Sequence, residues 1–278
     1  MVPGVDDVAG IERQVVMGKK VTAPELVKMK GRGEKIAMIT SYDYCFAKLA
    51  DEAGVDVILV GDSLGNVVFG DGNTLGVTMD NMARHTRSVS NAVQRALVLA
   101  DMPFMSYQVS LEEALKNAGR LITEGGAAAV KLEGASEHDL TVISRLTEMG
   151  IPVVGHVGLT PQSVNVFGGF KTQGKDEASA KRIMSEAIKL QEAGCFAVVL
   201  EMVPAELAEE ITKELTIPTV GIGAGPHCDG QVLVMHDMLG LYDGFRPSFV
   251  KLYADLAPAV RDAFGKYAKE VKGGEFPK

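Results

Sequence analysis

The chain has 278 residues, of which 36 are acidic and 28 are Lys or Arg, so its formal net charge at pH 7 is -8. This charge argues against nucleic-acid and anionic-membrane partners, because both need clustered basic residues. The three cysteines, Cys45, Cys195 and Cys228, have unrelated spacings that fit neither a disulfide framework nor a zinc site. Since no apolar stretch approaches the roughly 20 residues of a membrane span, we expect a soluble, cytoplasmic protein.

The N-terminal segment differs from the rest of the chain. Residues 1–20 show no hydrophobic periodicity, and they are acidic where a signal peptide would be basic and then apolar. We expect a flexible extension over 1–20 and a single domain over 21–278. At the start of this domain, the capping-box spacing Thr22-Ala-Pro-Glu25 predicts a short helix that covers the bottom of the fold.

From residue 36 onward, strands and helices are predicted to alternate. Short β-branched and apolar runs bounded by glycine predict buried parallel strands, and caps such as Asp43, Asp80 and Ser110 predict the helices between them. The predicted strands are 36–41, the run that begins at Val55, the runs that end at Asp101 and Glu133, 152–156, 196–201, 218–225 and 231–239.

Eight such units without sequence repeats favour a (β/α)8 TIM barrel over an open doubly wound sheet. The N-terminal helix precedes the barrel, and amphipathic C-terminal helices at 248–256 and 258–271 are expected to pack outside it. Strands seven and eight are too close in sequence for a normal parallel crossover, which needs a dozen or more residues. We therefore expect either a seventh helix of about one turn or a later start for strand eight.

Three consecutive predicted strands end in a carboxylate: Asp62, Asp101 and Glu133. The strand ends of a barrel share one mouth, so we expect these acids to point to one place. Three carboxylates without clustered His or Cys suit a hard cation, Mg²⁺ in the first instance. The alternative is that individual acids cap the following helices or pair with Lys and Arg.

Other ionisable residues are predicted at the same mouth. Lys131 shares a strand face with Glu133 and could hold a substrate carboxylate or an enolate, with a salt bridge or Schiff-base chemistry as alternatives. Glu201 ends the apolar run AVVLE, where apolar surroundings would raise its pKa, and we interpret it as a general base rather than a solvated strand end. For His156, three roles stay open: supporting these groups, stabilising an oxyanion, and an ordinary hydrogen-bonded core position.

Two glycine-rich loops follow predicted strands. The loop 159–175 is the best candidate for a lid over the site. GIGAG at 221–225 either binds phosphate on backbone amides or packs closely at a short turn.

In order and spacing, these segments resemble the ketopantoate hydroxymethyltransferase family. The motifs that carry the resemblance cover most of 36–246 and include VILVGDSLGNVVFG, LVLADMPFMSY, VKLEG, GHVGLTPQSVNVFGGFK, VVLEMVP and GIGAGPHCDGQVLVMHDMLG. The resemblance implies transfer of a hydroxymethyl unit from 5,10-methylenetetrahydrofolate to 3-methyl-2-oxobutanoate, giving 2-dehydropantoate in pantothenate synthesis. It also implies a Mg²⁺ cofactor and a cytoplasmic homodecamer.

The resemblance further implies roles for individual residues. It places the magnesium ligands at Asp62, Asp101 and Glu133, and the proton acceptor at Glu201. It places the 2-oxo acid contacts at Asp62, Ser63, Asp101 and Lys131.

Two other functions stay open at the level of sequence. One is a Mg²⁺-dependent C–C lyase of the phosphoenolpyruvate mutase and isocitrate lyase type, although the Cys-bearing lid motif usual in that group is not found. The other is a non-catalytic metabolite-binding barrel, in which the acids would be dispensable. A Mg²⁺-dependent turnover assay with the folate donor separates the three functions.

Overall fold

The computed structural model of the chain describes residues 18–242, 244 and 247–277. Eight parallel strands form a closed barrel in the order β1 to β8, and β8 pairs with β1. The strands are β1 (Ile36–Thr40), β2 (Val57–Val60), β3 (Leu97–Asp101), β4 (Ala129–Glu133), β5 (Val153–Gly158), β6 (Ala197–Glu201), β7 (Thr219–Ile222) and β8 (Gly230–Leu233). The predicted (β/α)8 barrel is confirmed. Of the extension predicted over 1–20, residues 1–17 lie outside the described residues.

Helices connect most of the strands and cover the barrel. They are α1 (Ala23–Gly31), α2 (Tyr44–Glu52), α3 (Met79–Ser90), α4 (Leu111–Thr123), α5 (Glu137–Glu148), α6 (Val164–Phe167), α7 (Glu177–Glu192), α8 (Ala205–Glu214), α9 (Met235–Met238) and α10 (Leu256–Lys272). The predicted caps Asp43 and Ser110 accept hydrogen bonds from the backbone N–H groups of Phe46 and Glu113, which satisfies donors that the first helical turn leaves free. No helix in the described ranges is long and apolar enough to cross a membrane.

The core has two layers, as strand periodicity requires. Inward-facing residues such as Leu59 and Leu99 fill the barrel together with Leu26 and Met29 of α1, so this helix closes the bottom as predicted. A larger layer lies between the outer strand faces and the helices. Each fully buried side chain of this size contributes about 1.5–3 kcal/mol.

One predicted helix cap is wrong, and another makes no side-chain bond. The cap of α3 is Thr78 and not Asp80, because Thr78 and Asn81 bond to each other's backbone N–H groups in a reciprocal capping box. Asp80 instead pairs with Arg120 at 2.7 Å, and the helix ends at Ser90. Thr22 precedes α1 as predicted, but its side chain makes no capping bond.

The connection between β7 and β8 contains no helix: residues 223–229, all of them described, form bends. The predicted one-turn helix and the later start of β8 are both wrong, since β8 begins at Gly230. Asp229 Oδ2 accepts from Thr219 N and from Lys30 Nζ, at 2.9 Å in each case. These bonds fix the short crossover in place of helix packing.

The C-terminal segments also differ from the prediction. Residues 248–255 contain no helix, so the helix predicted over 248–256 is wrong. The helix predicted over 258–271 exists within α10, but α10 has no buried residue, so it is not packed into the barrel surface as expected.

Candidate active site

All the site residues predicted from the sequence face one cavity of about 390 Å³ at the C-terminal mouth of the barrel. They are Asp62, Ser63, Asp101, Lys131, Glu133, His156 and Glu201. The parallel arrangement produces this convergence, because each residue lies in the C-terminal half of one of five consecutive strands or within three residues after it.

Asp62 and Asp101 lie side by side at the ends of neighbouring strands. A Cβ on Gly61 would lie 2.8 Å from Ser63 Oγ and 3.5 Å from Asp101 Oδ2, so a larger residue would displace the Ser63 hydroxyl. In this arrangement Asp62 N donates to Asp101 Oδ2 at 3.1 Å. Ser63 Oγ is held in turn by the Tyr42 hydroxyl at 2.9 Å.

Lys131 is the cation closest to these acids. Its Nζ lies 2.9 Å from Asp101 Oδ1, and both side chains are only 5% exposed. Burial lowers the pKa of Lys131, but Asp101, Glu133 and Asp62 outweigh burial and raise that pKa above its usual value. Lys131 therefore stays charged, as a group that binds an anion must.

The cluster nevertheless carries excess negative charge. Burial, together with repulsion from Asp101 and Glu133, raises the pKa of Asp62 well above its usual value. Burial also raises the pKa of Asp101, although Lys131 opposes the shift. Buried carboxylates at such close quarters are costly unless a cation accompanies them, so the donor set fits a divalent metal ion.

The carboxylates do not converge on one point as they stand. Among the described residues, no group of three or more His, Cys, Asp and Glu side chains is arranged to hold a metal ion. Each acid faces a protein partner instead: Asp101 faces Lys131, Glu133 faces His156, and Asp62 accepts from Gln162. A metal would thus replace some of these contacts.

His156 lies between two acids. Its Nδ1 is 3.5 Å from Glu133 Oε1 and its Nε2 is 3.3 Å from Glu201 Oε2. Burial and the charge of Lys131 lower the pKa of His156, but the two carboxylates outweigh them and raise it to about 9. Burial raises the pKa of Glu133, yet contact with His156 and Lys131 holds it below its usual range.

The surroundings of Glu201 are less apolar than predicted. Its side chain is 17% exposed and faces the His156 ring, so it is more open than Glu133, which is 4% exposed. This position at the edge of the cavity gives Glu201 room to meet a substrate.

The glycines of GIGAG are explained by close packing. Gly223 and Gly225 have positive φ values, of 62° and 75°. Added Cβ atoms would lie 2.8 Å from Met202 Sδ and 2.4 Å from Ala205 Cβ, respectively. Of the two interpretations of this loop, the structure favours the tight turn.

Sequence reasoning missed Gln162 and Tyr107. Gln162 bonds to Asp62 and Glu133, and Tyr107 bonds to the backbone of Glu133 and to Gln162. The one available signal was the position of Gln162 in the segment GLTPQ, directly after β5. A neutral polar residue in a loop gave no reason to place it in the site.

Comparison with known proteins identifies the family. A family model described as ketopantoate hydroxymethyltransferase matches residues 20–278. The chain belongs to this family. The predicted one-carbon transferase is confirmed with it.

Curated relatives named 3-methyl-2-oxobutanoate hydroxymethyltransferase resemble the chain over nearly its whole length. The protein from Syntrophus aciditrophicus is 59% identical over 260 residues, covering 94% of this chain and 95% of the relative. The protein from Moorella thermoacetica is 57% identical over 258 residues, covering 93% and 96%. That from Geobacter sulfurreducens is 55% identical over 261 residues, covering 94% and 97%.

Solved structures of lower identity share the fold alone. Phosphonopyruvate hydrolase in complex with oxalate and Mg²⁺ has a TM-score of 0.61 and 13% identity, over 91% of this chain and 88% of that one. The 2,3-dimethylmalate lyase, a PEP mutase/isocitrate lyase superfamily member, has a TM-score of 0.58 and 17% identity over the same shares. The lyase alternative thus shares the barrel, whereas the family match is to the transferases.

Proposed function

We propose that the chain transfers a hydroxymethyl group from 5,10-methylenetetrahydrofolate to 3-methyl-2-oxobutanoate, giving 2-dehydropantoate in pantothenate synthesis. Family membership supports this reaction. The observation that carries it is one cavity in which three buried acids, Asp62, Asp101 and Glu133, face a charged Lys131, with Glu201 at the edge.

Mg²⁺ is the metal that this donor set fits best. Asp62, Asp101 and Glu133 would hold it, because hard cations prefer carboxylate oxygens and because these acids carry uncompensated charge. When bound, the ion would polarise the carbonyl of a 2-oxo acid and so acidify C3.

Lys131 and Ser63 are suited to hold the 2-oxo acid. The ammonium group of Lys131 can pair with the substrate carboxylate and can stabilise the negative charge that develops on the keto oxygen. The hydroxyl of Ser63, fixed by Tyr42, offers a further hydrogen bond.

Glu201 is suited to remove the C3 proton. The C–H electron pair then forms the enolate, and C3 attacks the methylene carbon of the folate donor. The new C–C bond replaces one C–N bond of the methylene carbon and a C–O bond from water replaces the other, so the C3 proton and one proton of water end on the two folate nitrogens. His156, charged and 3.3 Å from Glu201 Oε2, orients the carboxylate toward the cavity.

A turnover assay tests the proposed function against its alternatives. The purified protein is incubated with 3-methyl-2-oxobutanoate, the folate donor and Mg²⁺, and products are followed by mass spectrometry. The proposal expects 2-dehydropantoate only when all three are present. Cleavage of 2-dehydropantoate or related acids without folate would favour the lyase, and no chemistry in any mixture would favour a binding barrel.

The proposal includes a cytoplasmic homodecamer without nucleic-acid or membrane partners, as the family resemblance implies. Helix α10 supports self-association, because four of its apolar residues form one stripe and are 39–70% exposed: Val260, Phe264, Tyr267 and Val271. An apolar stripe of this kind is stable in water when another protein surface covers it.

A further inference from the structure

Gln162 is a buried polar residue that the proposed mechanism does not use. It lies in the short helical turn Pro161–Ser163, directly after β5 and at the base of the loop 159–175. Only 7% of its surface is exposed. Burying an amide is costly unless its donors and acceptors find partners, so its contacts show what holds it there.

The side-chain amide of Gln162 is saturated. Nε2 donates to Asp62 Oδ2 at 2.9 Å and to the Met102 carbonyl oxygen at 3.0 Å. Oε1 accepts from the Tyr107 hydroxyl at 2.9 Å and from Gln108 Nε2 at 3.2 Å. The Met102 carbonyl can only accept, so the amide nitrogen must face it and Asp62. Donation to Asp62 is thus fixed by the neighbours.

The backbone of the same residue holds a second acid. Gln162 N donates to Glu133 Oε2 at 3.0 Å. One residue therefore binds carboxylates from the ends of β2 and β4, which lie 100 and 29 residues from it in sequence. Asp62 Oδ2 accepts this bond, and because each carboxylate oxygen can accept two bonds, Asp62 can still meet a cation.

We propose that Gln162 is a positioning residue for the carboxylate site. Its side chain fixes Asp62, and its backbone fixes Glu133, so the two acids keep a set separation and orientation. The contact also ties the acids to the segment that follows β5. This inference rests on the proposed function, because it concerns how the acids bind Mg²⁺ and the 2-oxo acid.

Residues that orient metal ligands typically change metal affinity by roughly 10- to 100-fold when they are replaced. Gln162→Met keeps the length of the side chain and the backbone N–H to Glu133, but it removes the donor to Asp62. We expect Mg²⁺ affinity to fall by about 10- to 100-fold on this ground. Gln162→Glu is less informative, because its carboxylate could itself bind the metal.

The experiment measures Mg²⁺ binding by isothermal titration calorimetry, with the metal alone and the full chain. Gln108→Met is the matched control: it is the same substitution at a side chain that touches the opposite end of the Gln162 amide and makes no bond to Asp62. We expect it to change Mg²⁺ affinity by less than about twofold. Melting temperatures of the metal-free variants show that both are folded.

The Mg²⁺ dependence of the exchange rate gives a second measurement, which would not change if Gln162 had only a structural role. For Gln162→Met, the Mg²⁺ concentration for half-maximal exchange at C3 of the 2-oxo acid should rise with the Kd. At saturating Mg²⁺ the maximal rate should recover to within a few-fold of the wild-type rate. If Gln162→Met does not fold, Gln162→Asn retains an amide but withdraws it from Asp62, and the same loss of affinity is expected.

The outcomes separate this inference from the proposed function. If the wild type shows Mg²⁺-dependent exchange and the Gln162 variants bind Mg²⁺ as tightly as it does, only the role of Gln162 falls. If the variants lose maximal rate without losing Mg²⁺ affinity, the positioning role is likewise overturned. If the wild type neither binds Mg²⁺ nor exchanges the C3 proton, the proposed function falls first.

Discussion

His156 Nε2 lies 3.3 Å from Glu201 Oε2, while Nδ1 of the same ring lies 3.5 Å from Glu133 Oε1. One buried ring therefore connects an acid assigned to the metal with the acid assigned to proton transfer. With its pKa raised to about 9, the ring is charged at neutral pH and carries a proton on each nitrogen.

This charged ring makes the stability of the metal-free protein depend on pH. The folded-state pKa of His156 lies above the unfolded value near 6.5, so its contribution is complete below about pH 6.5 and is lost as pH rises through about 9. Between pH 6 and pH 9.5, the unfolding free energy of the wild type should decrease more than that of His156→Gln. We expect the difference between the two decreases to be on the order of 2 kcal/mol. Urea unfolding at pH 6 and pH 9.5 measures the difference; equal pH dependence in both proteins would contradict it.

Asp62 is expected to destabilise the metal-free fold because its charge is kept for binding Mg²⁺. Because its folded-state pKa is raised, ionised Asp62 destabilises the fold at pH values above the unfolded pKa of an aspartate, and Asp62→Asn removes that charge. The variant should melt roughly 2–4 °C above the wild type without metal. Addition of Mg²⁺ should stabilise the wild type and not the variant in a thermal scan. A variant that melts lower without metal would show that repulsion among the acids is not the dominant effect.

Lys131 is expected to matter for substrate more than for metal. Lys131→Met removes the group proposed to bind the 2-oxo acid, and it also removes a positive charge from beside the proposed metal ligands. We expect the KM for 3-methyl-2-oxobutanoate to rise by about tenfold or more, consistent with the loss of one charged hydrogen bond. Mg²⁺ affinity measured by calorimetry should not fall. Weaker Mg²⁺ binding with an unchanged KM would assign Lys131 to the metal site.

Helix α10 provides a test of self-association. Phe264 is 70% exposed in the middle of the apolar stripe, so Phe264→Glu should reduce the particle mass found by light scattering. Lys266→Glu, on the opposite side of the helix, is the control and should leave the mass unchanged. An oligomer of full size in both variants would mean that another surface holds the subunits together.

The sequence predicted the parts of the site that depend on local pattern. A single acid at the end of an apolar run marks a strand end, and closure of the barrel then brings Asp62, Asp101 and Glu133 to one mouth. The role assigned to each acid stays a prediction.

What the sequence did not predict depends on distant contacts. Gln162 belongs to the site because of a partner 100 residues away, and the crossover before β8 needs no helix because Lys30 reaches Asp229 across 199 residues. The prediction that Asp80 caps α3 was wrong for a different reason. Thr78 and Asp80 are both good capping residues, and reciprocal bonding with Asn81 makes Thr78 the cap.

The most direct test of the central claim is exchange of the C3 proton of 3-methyl-2-oxobutanoate in D₂O, followed by NMR without the folate donor. We expect the wild type with Mg²⁺ to exchange this proton, and Glu201→Gln to bind Mg²⁺ and the 2-oxo acid normally but to exchange about 10²- to 10⁴-fold more slowly. Undiminished exchange by Glu201→Gln would remove Glu201 from proton transfer and contradict the account.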